Sequence, residues 1–349
     1  MVYVFFGDFG LLSYDRLGRQ RWSMPLGPFD NLCGMGVSPL LAGNRVFVVC
    51  DQQTGSFLIA VDKDSGKQLW KVDRPEATSG HSSPILYEAD NGSLELLVAG
   101  SFLLSAYHPA SGEKLWWVRG LSFEMKSTPV MNRGMLFVNG YATPMNQPDK
   151  MVETEAWSRV LKAHDKDANG RLSRDELPDS PSQGFFPFVD LDQDGFLKAG
   201  EWQYYRDAMA SKNAMLGIRL GGRGDVTDTN LEWEYHHSVP QRPSPLLYKD
   251  ILYMINDGGI ATSFRPDTGE VIARGRIKGA TGKYYASPVA AADKIYMVSE
   301  TCKVAVLEPD GSLEVLAVND LDSTCYATPA LAEGRIYIRT GETLYAFGE

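Results

Sequence analysis

No stretch of this chain approaches the roughly 20 consecutive apolar residues that a membrane-crossing helix needs; the richest runs, LELLVAG and FLLSAY, contain polar breaks. Basic residues are in deficit. The 34 Lys and Arg stand against 44 Asp and Glu, and a formal charge of -10 argues against nucleic acid as a partner, which wants a basic face. The same balance suits divalent cations. Cysteine is scarce: Cys33, Cys50, Cys302 and Cys325 form no CxxC pair, so spacing predicts no thiolate metal site. Their even number permits two disulfides without demanding them, and Cys50, in RVFVVCD, reads as a small buried hydrophobe. The histidines His81, His108, His164, His236 and His237 show no ligand spacing; adjacent His236 and His237 follow a strand pattern and face opposite ways. No GxSxG, P-loop or HExxH signature is present, and the RGD at 223–225 reads as a turn. The opening MVYVFFGDFG lacks the basic start and long apolar stretch of a signal peptide. Core-forming capacity is ample, with 44% hydrophobic and 11% aromatic residues excluding bulk disorder.

What is present is repetition. A Ser/Thr-Pro pair recurs at Ser38-Pro39, Ser83-Pro84, Thr128-Pro129, Ser244-Pro245, Ser287-Pro288 and Thr328-Pro329. The intervals are 45, 45, 116, 43 and 41, so one of them exceeds its neighbour by 71 residues and marks an insertion. Each unit continues with a short apolar strand, a stronger one such as RVFVVC, GMLFVNG or KIYMVSE, then a third and fourth around an Asp/Ser/Thr-Gly turn. Four short strands every 40 to 45 residues is the period of a β-propeller blade. Helical periodicity is nearly absent outside the insertion. Seven units are expected, with six or eight as alternatives. The first, at 3–24, has only its second to fourth strands and the last, at 327–348, only its first to third, as expected of a chain missing an upstream segment.

The segments AVDKDSGKQLW (60–70), AYHPASGEKLW (106–116) and SYDRLGRQRW (13–22) resemble the repeats of pyrroloquinoline-quinone (PQQ) type propellers, whose pattern is roughly Ala-x-Asp-x-x-Thr-Gly-x-x-x-Trp. The resemblance weakens towards the C-terminus, where Ala273 and Leu316 stand in place of Trp. It implies that Trp22, Trp70, Trp116 and Trp233 dock between neighbouring blades as core residues.

The insertion holds a different signal. DKDANGRLSRDE (165–176) and DLDQDGFLKAGE (190–201) both fit the twelve-residue EF-hand calcium loop. A hard cation that takes six to eight oxygens requires them at positions 1, 3, 5, 7, 9 and 12, with glycine at 6 for the sharp turn. Loop one offers Asp165, Asp167, Asn169, the Arg171 carbonyl, Ser173 and Glu176 around Gly170. Loop two offers Asp190, Asp192, Asp194, the Phe196 carbonyl and Glu201 around Gly195; Lys198 at position 9 cannot be a ligand and leaves that place to water. A bidentate Glu suits calcium better than magnesium. Leu172 and Leu197, at position 8, suit the strand pairing that couples two such loops. VETEAWSRVLKAH leads into loop one with Trp157, Val160 and Leu161 on one face, and AGEWQYYRDAMASKNAM leaves loop two with Trp202 and Tyr205 apolar. Thirteen residues separate the loops, and Pro178, Pro181 and Pro187 cut any long helix there, which implies a rigid pair with a structural or buffering role.

The expected architecture is an all-β, seven-bladed propeller with a small α-helical EF-hand insertion: propeller repeats at 1–143, the EF-hand pair at 144–213, and propeller repeats at 214–349. The resemblance implies two functions. One is a PQQ-dependent dehydrogenase, but those enzymes are much longer and carry an adjacent Cys-Cys pair that this chain lacks. The other, closer in size, is a non-enzymatic scaffold like the outer-membrane-protein assembly lipoprotein, although no lipoprotein cysteine stands near the start. The scaffold reading is preferred, with Ca2+ as the bound ion and a protein or glycan as partner at the rim that bears the insertion. A periplasmic or extracellular location follows from the resemblance alone.

Overall fold

The Ser/Thr-Pro pairs mark blade starts because they stitch neighbouring blades together. In the computed structural model, which describes residues 1–89, 91–151, 153–177 and 181–348, each pair precedes the first of the antiparallel strands of a blade, four of them after every pair except Thr328-Pro329, which three follow. The Ser38 amide donates to Ser83 Oγ at 3.0 Å, Thr128 to Ser244 Oγ at 2.9 Å, Ser244 to Ser287 Oγ at 2.9 Å and Ser287 to Thr328 Oγ1 at 3.0 Å. A hydroxyl from the next blade thus satisfies an amide that no ladder reaches. Between blades three and four the link is instead Ser82 Oγ to the Ser127 carbonyl, 2.8 Å.

Seven blade sheets result, at residues 2–24, 40–73, 85–119, 130–235, 246–276, 289–320 and 330–348. Blade two shows the pattern: Leu40–Ala42, Arg45–Cys50, Phe57–Asp62 and Gln68–Asp73 pair in sequence order. Its second and third strands are almost wholly buried because blades cover both faces, and so they read as continuous apolar runs. The fourth strand alternates between exposed and half-buried. Blade one contributes Val2–Phe6, Gly10–Tyr14 and Gln20–Met24; blade seven contributes Ala330–Ala332, Arg335–Arg339 and Leu344–Gly348.

The tryptophans clasp blades as the resemblance implied. Trp22 Nε1 donates to the Lys63 carbonyl (3.0 Å), Trp70 to Pro109 (3.1 Å) and Trp233 to Pro266 (2.9 Å), each an acceptor in the next blade. The turn glycine is needed twice over. Gly66 and Gly269 have φ of 73° and 70°, and a Cβ on either would lie within 2.7 Å of the Trp22 or Trp233 ring. Trp116 differs. It is fully buried between blades three and four, but its Nε1 turns to Glu95 Oε2 of its own blade at 2.8 Å. The segment read as an RGD turn explains the exception: Gly224–Asp225 adds a parallel edge strand to blade three, pairing with Trp116 and Trp117, and Asp225 takes an ion pair from Arg119 at 2.9 Å.

The insertion joins the second and third strands of blade four, Met135–Gly140 and Ala214–Arg219, with Gly140 opposite Ala214. Its described residues form three α-helices, α1 (Trp157–His164), α2 (Pro181–Val189) and α3 (Ala199–Ala210). Pro178 lies outside the described residues. The segment between the loops holds only a short helix: α2 has nine residues, Pro181 opens it, where the missing amide costs little, and Pro187 sits inside it. Val160, Leu172, Leu197, Trp202 and Tyr205 form the insertion's own core, with Trp157 and Leu161 packed against it. Of the cysteines, Cys302 and Cys325 form a disulfide, Cys33 is free and exposed, and Cys50 is free and buried, as its apolar surroundings suggested. Among the described residues no helix is long and apolar enough to cross a membrane.

Candidate metal centre

Loops one and two adopt the same hydrogen-bond pattern, offset by 25 residues. The first aspartate of each accepts from the amides at positions 5 and 6: Asn169 and Gly170 to Asp165 (3.1 and 2.9 Å), Asp194 and Gly195 to Asp190 (3.1 and 3.0 Å). The side chain at position 5 accepts from the amide at 7, Arg171 to Asn169 and Phe196 to Asp194, both 3.0 Å. The closing glutamate accepts from the amides at 2 and 9: Lys166 and Ser173 to Glu176 (3.0 and 2.9 Å), Leu191 and Lys198 to Glu201 (2.8 and 2.9 Å). Turn geometry requires glycine at position 6, where φ is 80° in Gly170 and 83° in Gly195.

The loops are joined back to back. Leu172–Ser173 pairs with Phe196–Leu197 antiparallel, with Leu172 opposite Leu197, both fully buried. The Arg171 guanidinium stacks over the Phe196 ring at 3.7 Å. This pairing is the one expected of the two leucines at position 8.

The acidic side chains do converge. One carboxylate oxygen each from Asp165, Asp167 and Glu176 lie within 4.8 Å of one another, and so do those from Asp190, Asp192 and Asp194. Asn169 Nδ2 donates to Asp167 Oδ2 (2.9 Å), and Ser173 Oγ to Glu176 Oε2 (2.8 Å). The Ser173 amide and hydroxyl, with the Lys166 amide, hold Glu176 below the usual carboxylate range, whereas burial raises Glu201. Loop two differs at position 9. The Lys198 ammonium lies 2.6 Å from Asp192 and 2.7 Å from Asp194, and its hydrogen bond holds Asp194 below its ordinary value. Lys198 was expected to be no ligand and to leave its place to water; its ammonium also pairs with the acidic groups of the loop.

Two features escaped sequence reading. The insertion is clamped at its root by buried asparagines: Asn213 Oδ1 accepts from Ala142 (2.8 Å), Asn213 Nδ2 donates to the Thr143 carbonyl (2.8 Å), and Asn146 Nδ2 donates to the Ala208 and Ser211 carbonyls (2.7 and 2.8 Å). His236 Nδ1 meets the Asn213 carbonyl at 2.9 Å. The insertion also lies on the propeller. Tyr204 of α3 packs edge-on against Phe102, and Gln193 Nε2 donates to Asp30 Oδ1 (2.8 Å) and Gln53 Oε1 (3.1 Å). An asparagine in a loop, or a tyrosine in a helix, gives no signal of such distant partners.

The sequence profile of the family described as outer membrane protein assembly factor BamB matches residues 2–116. No curated protein matches the chain in sequence. Three solved structures are similar in fold. BamB from Moraxella catarrhalis is 13% identical with a TM-score of 0.60, over 99% of this chain and 79% of that one. The computationally designed Ika8 protein is 10% identical at 0.59, over 98% and 79%. Quinohemoprotein alcohol dehydrogenase from Comamonas testosteroni is 10% identical at 0.60, over 99% of this chain; this chain spans 63% of its length. Likeness at these identities concerns the propeller fold, which binding proteins and enzymes share.

Proposed function

We propose that this protein is a non-enzymatic propeller scaffold of the PQQ-like repeat type whose insertion binds calcium through an EF-hand pair. The carrying observation is the doubled loop: two twelve-residue segments fold with the same internal bonds and each gathers three carboxylates within 4.8 Å. Oxygens on one calcium ion, at about 2.4 Å, lie no more than about 4.8 Å apart. The donors are hard oxygens, and backbone amides already orient them, so little reorganisation is needed on binding. Asp165, Asp167, Asn169, Ser173, Glu176 and the Arg171 carbonyl would hold one ion; Asp190, Asp192, Asp194, Glu201 and the Phe196 carbonyl the other.

The role is structural rather than switching. The asparagine clamp and the Tyr204 and Gln193 contacts fix the insertion to the propeller, which leaves little freedom for opening. Calcium offsets the mutual repulsion of the loop carboxylates and so contributes to folding. An exported location, periplasmic or extracellular, agrees with the Cys302–Cys325 disulfide, and about millimolar calcium there fills even weak loops. The face bearing the insertion is the surface offered to a protein or glycan.

Calorimetric titration with calcium tests the reading: heat saturating at two ions per chain is expected, and no heat would overturn it. Adding PQQ with calcium and an alcohol separates scaffold from enzyme. The scaffold gives no cofactor absorption and no dye reduction; either signal would establish the dehydrogenase instead.

A further inference from the structure

Antiparallel strands alternate in direction, so the links from each blade's fourth strand to the next blade's first emerge on the same face as the insertion. Three of these links, 25–39, 74–84 and 120–129, lie side by side. The His81 amide donates to the Met125 carbonyl at 2.8 Å, and a Cβ on Gly36 would sit 3.3 Å from His81 Nδ1, so glycine lets that link approach. Cys33 is held by its amide on Asn31 Oδ1 (3.0 Å), and Asn31 Nδ2 donates to the Asp51 carbonyl (3.2 Å). This packing gathers Cys33, His81 and Glu124, whose ligand atoms lie within 4.8 Å of one another.

Thiolate, imidazole and carboxylate together are a donor set for a borderline divalent ion, not for calcium. Glu124 Oε2 is engaged by Lys126 Nζ at 2.5 Å, which orients the carboxylate and leaves Oε1 3.7 Å from His81 Nε2. Two nitrogen or oxygen ligands on one tetrahedral zinc ion lie about 3.4 Å apart. The His81 and Glu124 side chains are only 13% and 17% exposed, while Cys33 opens to solvent and gives an entry path. Sequence spacing concealed the group because its members stand 48 and 43 residues apart, one in each of three successive repeats.

We propose that Cys33, His81 and Glu124 form a zinc site, independent of the acidic loops, with its fourth position open to water or to a partner's ligand. On binding, the Cys33 thiol gives its proton to solvent and Lys126 serves as the outer partner of Glu124. The test uses cobalt(II) as a spectroscopic probe on the full chain, with excess calcium present to fill the acidic loops. The expected result is one equivalent bound, with tetrahedral d–d bands and a thiolate-to-cobalt charge-transfer band, all displaced by zinc. Cys33→Ser, an exposed change that leaves the fold intact by circular dichroism, should abolish the charge-transfer band. Glu176→Gln should leave that band unchanged. The proposal is overturned if the unmodified chain gives no charge-transfer band, if the band survives in Cys33→Ser, or if Glu176→Gln removes it.

Discussion

Loops one and two share backbone, glycine and closing glutamate, yet they are not equivalent sites. In loop one the ninth residue, Ser173, donates its hydroxyl to Glu176 and adds no charge. In loop two the ninth residue, Lys198, lays an ammonium across Asp192 and Asp194. The difference separates two things that a motif merges. The pattern of Asp, Gly and Glu decides how the backbone folds; the residue at one variable position decides whether an internal cation competes for the oxygens. Loop one should therefore fill first, and loop two only after Lys198 has been displaced.

The largest effect is expected where the two loops depend on each other. Leu197→Ala removes a fully buried side chain from the strand pair and should cost the insertion about 3 kcal/mol, seen as faster hydrogen exchange in both loops. If only loop two loosens, the loops are not coupled. Next, Glu176→Gln should weaken calcium at loop one by on the order of a hundredfold, the upper end of what losing even an outer partner of a metal causes. Glu201→Gln should do the same to loop two alone, and titration calorimetry distinguishes the two.

A smaller and opposite effect should follow from Lys198→Ser. Relieved of an exposed ion pair, loop two should gain on the order of fivefold in calcium affinity and approach loop one. The same pair has a pH signature. Because Lys198 holds Asp194 below its ordinary value, the pair is intact above about pH 4 and is lost as pH falls through the lowered value; the acid step should disappear in Lys198→Ser. The smallest effect belongs to Gln193→Ala, which deletes the contacts from loop two to Asp30 and Gln53. It should cost about 0.5 kcal/mol of local stability, read as quicker proteolysis of the insertion, with loop one unaffected.

Much of this was legible in the chain. The Ser/Thr-Pro spacing located the blades because those residues bond from one blade to the next at four successive-blade junctions, so the same chemistry recurs at nearly the same interval. The excess interval marked an insertion in the fourth repeat, and in the structure the long excursion leaves blade four after Gly140 and rejoins it at Ala214. Local loop chemistry was legible too, since the Asp, Gly and Glu contacts span at most ten residues. The Asn146 and Asn213 clamp, the seat of Tyr204 on Phe102 and the grouping of Cys33 with His81 and Glu124 were not. Each depends on segments far apart in sequence that the packing of neighbouring blades and of the insertion brings together, and no local pattern encodes that. Trp116 shows the same limit: its motif matched, but the edge strand that redirects its indole comes from blade four.

The Gly170 and Gly195 amides report on each loop separately, because they donate to Asp165 and Asp190, the first ligand of each. A metal ion on those carboxylates polarises the amides and moves their resonances. Calcium titration followed by nuclear magnetic resonance should shift Gly170 first and Gly195 at higher calcium, with the order lost in Lys198→Ser. Two glycine amides that stay in place at millimolar calcium would contradict the account.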